Sequence, residues 1–299
     1  MERGGRPYGA PVPLFPGAFV RKREESVNFT ILGALEILKD DRECTPKAPK
    51  VLQVLALLLL RANHPLPMSV LVRELWGDHP PKSAVTTVQT YVCQLRKAIE
   101  EVDTATEEPE YLLTRSSGYL LRVSPEQVDA LVFQRLLGEG RRLLEEGRTD
   151  AASKRLGEAL DLWSGPCLAH VSRGPLIEPH AVRLEEQRLH AQELRIRAEL
   201  LLGRERESIG ELRSLAMEYP LNEWFHGRLI HALHRAGRRD EASTAYRRLR
   251  LALSEELGLE PSLELQTLHQ EVLGASPAPP EPRRRPRGRP EGSVPLATG

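Results

Sequence analysis

From Lys82 to Lys97 the chain reads KSAVTTVQTYVCQLRK, without a single Asp or Glu. On a helical wheel at about 100° per residue, Val88, Val92, Leu95 and Ile99 share one side, with Ala84 and Tyr91 at its edge. Ser83, Thr87, Thr90, Gln94 and Lys97 gather on the other. Small hydroxyls, an amide and a cation suit the major groove of DNA. Threonine brings a hydroxyl and a methyl that meets thymine, and glutamine pairs with adenine through two hydrogen bonds. Arg96, Lys97 and Lys82 suit phosphates at the groove edge. The plainer alternative is an amphipathic helix whose polar face is only solvated.

Little else in the chain suggests chemistry. Its nine histidines include no HExxH, and there is no GxSxG, Walker A or dinucleotide fingerprint, so an enzyme is not expected. His180, His190, His231 and His234 fall on predicted helices, where surface or packing roles fit best. Cys44, Cys93 and Cys167 lack CxxC or Cys/His spacing, so neither a metal, a cofactor nor a disulfide framework is expected.

The polar helix needs a frame, and the flanking sequence supplies one. Residues 27–45 hold two short apolar runs around Gly33 and a polar turn at 39–42, a pattern for short antiparallel strands. A helix over 50–62 is closed by Asn63 and Pro65. Ser69 is placed to cap a second helix that ends at Gly77. The third spans 83–101. Then 111–114 and 119–123 read as the arms of a hairpin turning through Arg115, Ser116, Ser117 and Gly118. Sheet, three helices and hairpin outline a winged helix, with Arg115 as the wing cation for a phosphate or the minor groove.

Beyond Val128 nearly everything is helical. A leucine-rich helix end, a glycine and charged residues recur at Gly147, Gly203 and Gly237. The last two are 34 residues apart, the tetratricopeptide period. Four segments follow: an arm at 1–26, a winged helix at 27–124, a tetratricopeptide-like domain at 125–274, and a Pro/Arg tail at 275–299. The two ends are expected to be disordered. On this division residues 1–124 suffice for DNA binding. The fold class is mainly α.

Charge does not advertise a nucleic-acid partner. Residues 28–124 carry 11 Lys/Arg against 12 Asp/Glu, so any attraction to DNA must come from cations gathered on one face. No apolar run approaches membrane-spanning length and no signal-peptide core is present, which implies a cytoplasmic protein, nucleoid-associated when on DNA.

LALLLLRAN, ELWGDHPPKSAVTTVQTYVCQLRKAI and LLTRSSGYLL resemble the DNA-binding domain of the Streptomyces antibiotic regulatory proteins, an OmpR-type winged helix of the kind used as a two-component effector domain. VDALVFQRLLGEGRRLL, AASKRLGEALDLWSGPCLAHV and HRAGRRDEASTAYRRLRLALSEELGLEPS resemble the bacterial transcriptional activation domain that follows it in that family. The likeness covers about residues 27–274. It implies an activator of secondary-metabolite (antibiotic) gene clusters. Two protomers would sit head-to-tail on direct repeats of double-stranded DNA and recruit RNA polymerase holoenzyme. By position it adds Thr86 and Lys50 to the DNA-facing set of Ser83, Thr87, Thr90, Gln94, Arg96, Lys97 and Arg115. Leu52 stands where many members have Arg, and Val70 where Asp is common. No GxxxxGK[ST] is present, which implies the short form without an ATPase domain. No receiver domain precedes the winged helix, so phosphorylation-driven pairing is not expected. A repeat-based adaptor and a DNA-binding repressor are the alternatives.

The tail holds Pro286, Arg287, Gly288, Arg289 and Pro290, the core of an AT-hook, so Arg287 and Arg289 are candidates for a narrow minor groove. The alternative is a biased basic tail with weak, non-specific attraction to phosphate.

Overall fold

A computed structural model describes residues 27–39, 42–100 and 111–274. The arm at 1–26 and the tail with Arg287 and Arg289 lie outside the described residues. The chain divides into two compact units, one ending at Arg204 and one beginning at Glu205.

In the first unit, β1 (Asn28–Thr30), β2 (Glu36–Lys39) and β3 (Arg42–Glu43) form an antiparallel sheet in that order. Phe29 pairs with Ile37 across β1 and β2. Helix α1 (Pro49–Leu60) is buried along nearly its whole length, as its apolar run requires. Asn63 then adopts φ 63°, which Asn tolerates, and its amide pairs both ways with the Val123 backbone at 2.8 and 3.0 Å. β4 (Leu66–Pro67) runs straight into α2 (Met68–Trp76). Ser69 therefore sits inside the first turn and caps nothing. The N-cap is Pro67, and the Ser117 carbonyl accepts from Met68 N at 3.0 Å instead. Helix α3 (Ala84–Glu100) packs on α1 and α2. β5 (Leu112–Arg115) and β6 (Gly118–Leu121) form the hairpin, and β4 joins the far side of β6.

Helices α4 (Asp129–Glu145), α5 (Thr149–Leu160) and α6 (Ile177–Leu201) complete the first unit. The recurring glycine phrase is one device used three times. Gly147, Gly203 and Gly237 all take φ of 74–78°, and the next residue donates back to a carbonyl near the helix end. Arg148 N reaches Leu143 O, Arg204 N reaches Glu199 O, and Arg238 N reaches Leu233 O, each at 2.9–3.0 Å. Only glycine adopts this left-handed cap without a Cβ penalty.

Contacts cross position 124 freely. One buried cluster runs from Val27 through Leu95 and Phe133 to Ala191, and α1 packs on α6. Ser164, Leu168 and Ala169 donate backbone hydrogen bonds to Leu32, Ile31 and Gly33 at 2.8–2.9 Å. Gly33 lets the two segments approach, because a Cβ there would meet Ser164 Oγ and force that hydroxyl to turn away.

Two buried carboxylates clasp the same seam from opposite sides. Asp129, at the start of α4, accepts from Ile31 N and Leu32 N at 2.8–3.0 Å and from Ala130 N at 2.7 Å. Glu74, on α2, accepts from Gly174 N and Leu176 N at 2.7 Å and from Ile177 N at 3.2 Å. It thereby satisfies orphan donors at the N-terminus of α6. Gln53 Nε2 donates to Glu74 at 3.2 Å.

The second unit holds α7 (Glu205–Glu218), α8 (Glu223–Arg235), α9 (Arg239–Leu257) and α10 (Leu263–Leu273). Asn222 caps α8 through Trp224 N and Phe225 N. Phe225, Leu229, Ile230, Leu249 and Leu253 form its core. No helix among the described residues is long and apolar enough to cross a membrane.

Candidate nucleic-acid interface

The wheel over α3 matches the burial. Val88, Val92, Leu95 and Ile99 are at most 3% exposed, while Thr86, Gln89, Thr90, Cys93, Gln94 and Lys97 are exposed. Thr87 is half-buried, and Lys82 and Ser83 are exposed just ahead of the helix. The exposed face therefore carries no acid from Lys82 to Lys97.

The threonine hydroxyls are partly committed. Thr87 Oγ1 donates to Ser83 O and Thr90 Oγ1 to Thr86 O, both at 3.0 Å. This back-bonding spends the hydroxyl proton on the helix itself. Each hydroxyl keeps its acceptor lone pairs, and the side chain keeps its methyl. Toward a base edge these residues accept from an amino group or touch a thymine methyl rather than donate. Gln94 has no such commitment among the described residues, so its amide keeps both donor and acceptor there.

Two expected phosphate contacts turn inward. Lys50 Nζ donates to Leu75 O at 2.6 Å and Gln53 Oε1 at 3.2 Å, where it neutralises the C-terminal end of α2. Arg96 donates through Nε and Nη2 to Leu112 O at 3.1 and 2.9 Å, and through Nη2 to Thr114 Oγ1 at 2.8 Å. It ties α3 to β5, so helix and wing present one surface. A cation's role depends on the acceptors that the fold places within its reach, which sequence spacing does not reveal.

Arg115 is exposed at the hairpin end and pairs across to Gly118, leaving Ser116 and Ser117 as the turn. Gly118 serves a different purpose from the expected tip. Its φ is not positive; a Cβ there would lie 2.0 Å from Leu66 O, so glycine lets β4 approach.

Sequence reasoning missed Gln53, Glu74 and Asp129, which are 1–3% exposed. The signal was present: Gln53 interrupts the apolar run of α1, and Glu74 stands in the buried stripe with Leu71 and Leu75. A polar residue at a core position demands partners.

Comparison with known proteins identifies both halves. Residues 42–121 match the family described as "Transcriptional regulatory protein, C terminal", and residues 128–273 match "Bacterial transcriptional activator domain". The chain is similar to the regulatory protein DnrI of Streptomyces peucetius, 41% identical over 84% of this chain and 93% of that one. It is also similar to the transcriptional regulator RedD of Streptomyces coelicolor, 34% identical over 92% of this chain and 79% of that one. It spans only 27% of the regulatory protein AfsR of Streptomyces coelicolor, at 35% identity. A solved structure of Mycobacterium tuberculosis EmbR, in complex with a low-affinity phosphopeptide, aligns with TM-score 0.75 at 30% identity, covering 86% of this chain and 67% of that one. These relatives are regulators rather than enzymes. The chain belongs to the Streptomyces antibiotic regulatory protein family of transcriptional regulators.

Proposed function

We propose that this chain binds double-stranded DNA through α3 and the β5–β6 wing, and activates a secondary-metabolite gene cluster. Two protomers lie head-to-tail on direct repeats, and the helical domain recruits RNA polymerase holoenzyme. The observation that carries the reading is the acid-free exposed face of α3, fastened to the wing by Arg96. Thr86, Thr90 and Gln94 face the bases. Lys82, Ser83, Lys97 and Arg115 hold phosphates. Lys50 and Arg96 act through the fold, where Lys50 gives two hydrogen bonds and Arg96 three to acceptors of this chain. Family membership supports activation of antibiotic genes.

Two substitutions separate reading from holding. Gln94→Ala costs about 1–3 kcal/mol and relaxes preference at one base position. Lys97→Ala weakens every sequence alike and lowers the salt slope by about one. Anisotropy titrations on matched and singly mismatched operators measure both. Uniform loss in both variants refutes base reading by Gln94. Half-sites lie about 10–10.5 bp apart, or multiples of that, so inserting half a turn between repeats abolishes cooperative binding. Unchanged binding after the insertion means independent monomers.

A further inference from the structure

Between α8 and α10 lies a groove of about 520 Å³. Trp224, Leu265 and Leu268 give it an apolar lining, and Glu223, Glu264 and Glu271 set carboxylates along it. The acids at 264 and 271 and Leu268 between them share one stripe of α10. Glu223 gives one oxygen to Ser262 N at 2.9 Å and keeps the other. Arg228 lies over Trp224 at 5.4 Å and is the one Lys or Arg lining the groove among the described residues. The indole is half-buried, with part of its surface open to a partner.

An aromatic and apolar lining edged by carboxylates suits an extended, proline-rich segment carrying arginines. Proline rings stack on the indole, and guanidinium forks pair with carboxylates. The chain carries such a segment next to the groove. Helix α10 ends at Gly274, and the sequence continues ASPAPPEPRRRPRGRPEG, with five arginines against two glutamates.

We infer that the C-terminal tail of this chain doubles back along α10 and occupies this groove, its prolines against Trp224 and Leu268 and Arg283, Arg284 and Arg285 against Glu264 and Glu223. The reach is sufficient. Nine residues separate Gly274 from Arg283, about 28 Å in polyproline form at about 3.1 Å each. Helix α10 is only about 16 Å long at about 1.5 Å per residue, so slack remains for a turn. Tethering supplies a local concentration of order mM, so weak individual contacts suffice. The inference does not depend on DNA binding.

The test uses full-length chain labelled with 5-fluorotryptophan. Its three tryptophans give separate ¹⁹F resonances, with Trp224 assigned by Trp224→Phe. Replacing Arg283, Arg284 and Arg285 by Ser moves the Trp224 resonance and leaves Trp76 and Trp163 in place. A synthetic peptide of residues 277–291 added to that variant returns the resonance to its original position. Adding Glu264→Lys and Glu271→Lys weakens the peptide by about tenfold or more. Return of the resonance on adding the peptide shows that the shift reports the groove rather than unfolding. A Trp224 resonance unmoved by the serine variant overturns the proposal. So does a peptide that binds the unaltered chain equally well, because the groove is then open.

Discussion

Residues 27–124 expressed alone will fail to unfold cooperatively, whereas residues 27–204 will do so and retain DNA binding. The seam at 124 cuts through one core. β1 packs on α4, and Phe29, Ile31 and Leu32 belong to the same buried cluster as Phe133 and Ile177. Cutting there removes the Asp129 carboxylate from Ile31 N and Leu32 N, and takes three backbone donors from buried Glu74. Each orphaned buried group costs about 1–3 kcal/mol, and more for a charge. Together with the exposed apolar surface, the loss rivals the roughly 5–15 kcal/mol total stability of a domain. Thermal unfolding by near-UV circular dichroism, with anisotropy on an operator, decides the matter. A cooperative, DNA-binding 27–124 fragment would contradict this expectation.

Asp129→Ala and Glu74→Ala come next in size. Each leaves buried backbone donors without an acceptor, at about 3–5 kcal/mol. For a unit of this length that lowers Tm by roughly 6–20 °C. Alanine at Thr86, by contrast, stays within about 0.5 kcal/mol, since its side chain is exposed. Asp129 adds a pH signature. Burial pushes its carboxyl up to about 7 from the ordinary 3.8, against three lowering backbone N–H groups. The native state therefore holds this proton more tightly than the unfolded chain. The resulting stability is full below about pH 4 and is lost as pH rises through about 7. The advantage of the natural chain over Asp129→Asn accordingly narrows between about pH 4 and 7. Denaturant midpoints for both chains measure it. A gap that widens with pH contradicts the assignment.

The frame was legible because periodicity and turn chemistry are local. The stripe of Val88, Val92, Leu95 and Ile99, and the glycine caps at 147, 203 and 237, follow from residues a few positions apart. Long-range partners were not legible. Lys50 finds the α2 terminus 25 residues away, Arg96 finds β5, and Glu74 finds backbone donors 100–103 residues on. Gly118 looked like a turn residue, yet it is required by β4, which approaches from the other side of its strand. Among the candidate DNA contacts, Ser83, Thr90, Gln94 and Lys97 are exposed on the face where periodicity placed them. The two drawn inward are long cations whose reach exceeds one helical turn.

The most direct measurement is to sequence genomic fragments captured by the purified full-length chain, in parallel with a Thr90→Glu/Gln94→Glu variant. Both positions are exposed, so the variant folds as the natural chain does. The natural chain is expected to enrich one direct repeat, spaced by whole turns of about 10–10.5 bp and lying near promoters of biosynthetic genes. The variant, with two anions facing the groove, is expected to enrich none. Recovery of the same repeat by the variant, or no shared sequence from the natural chain, would contradict the assignment of α3 as the DNA reader.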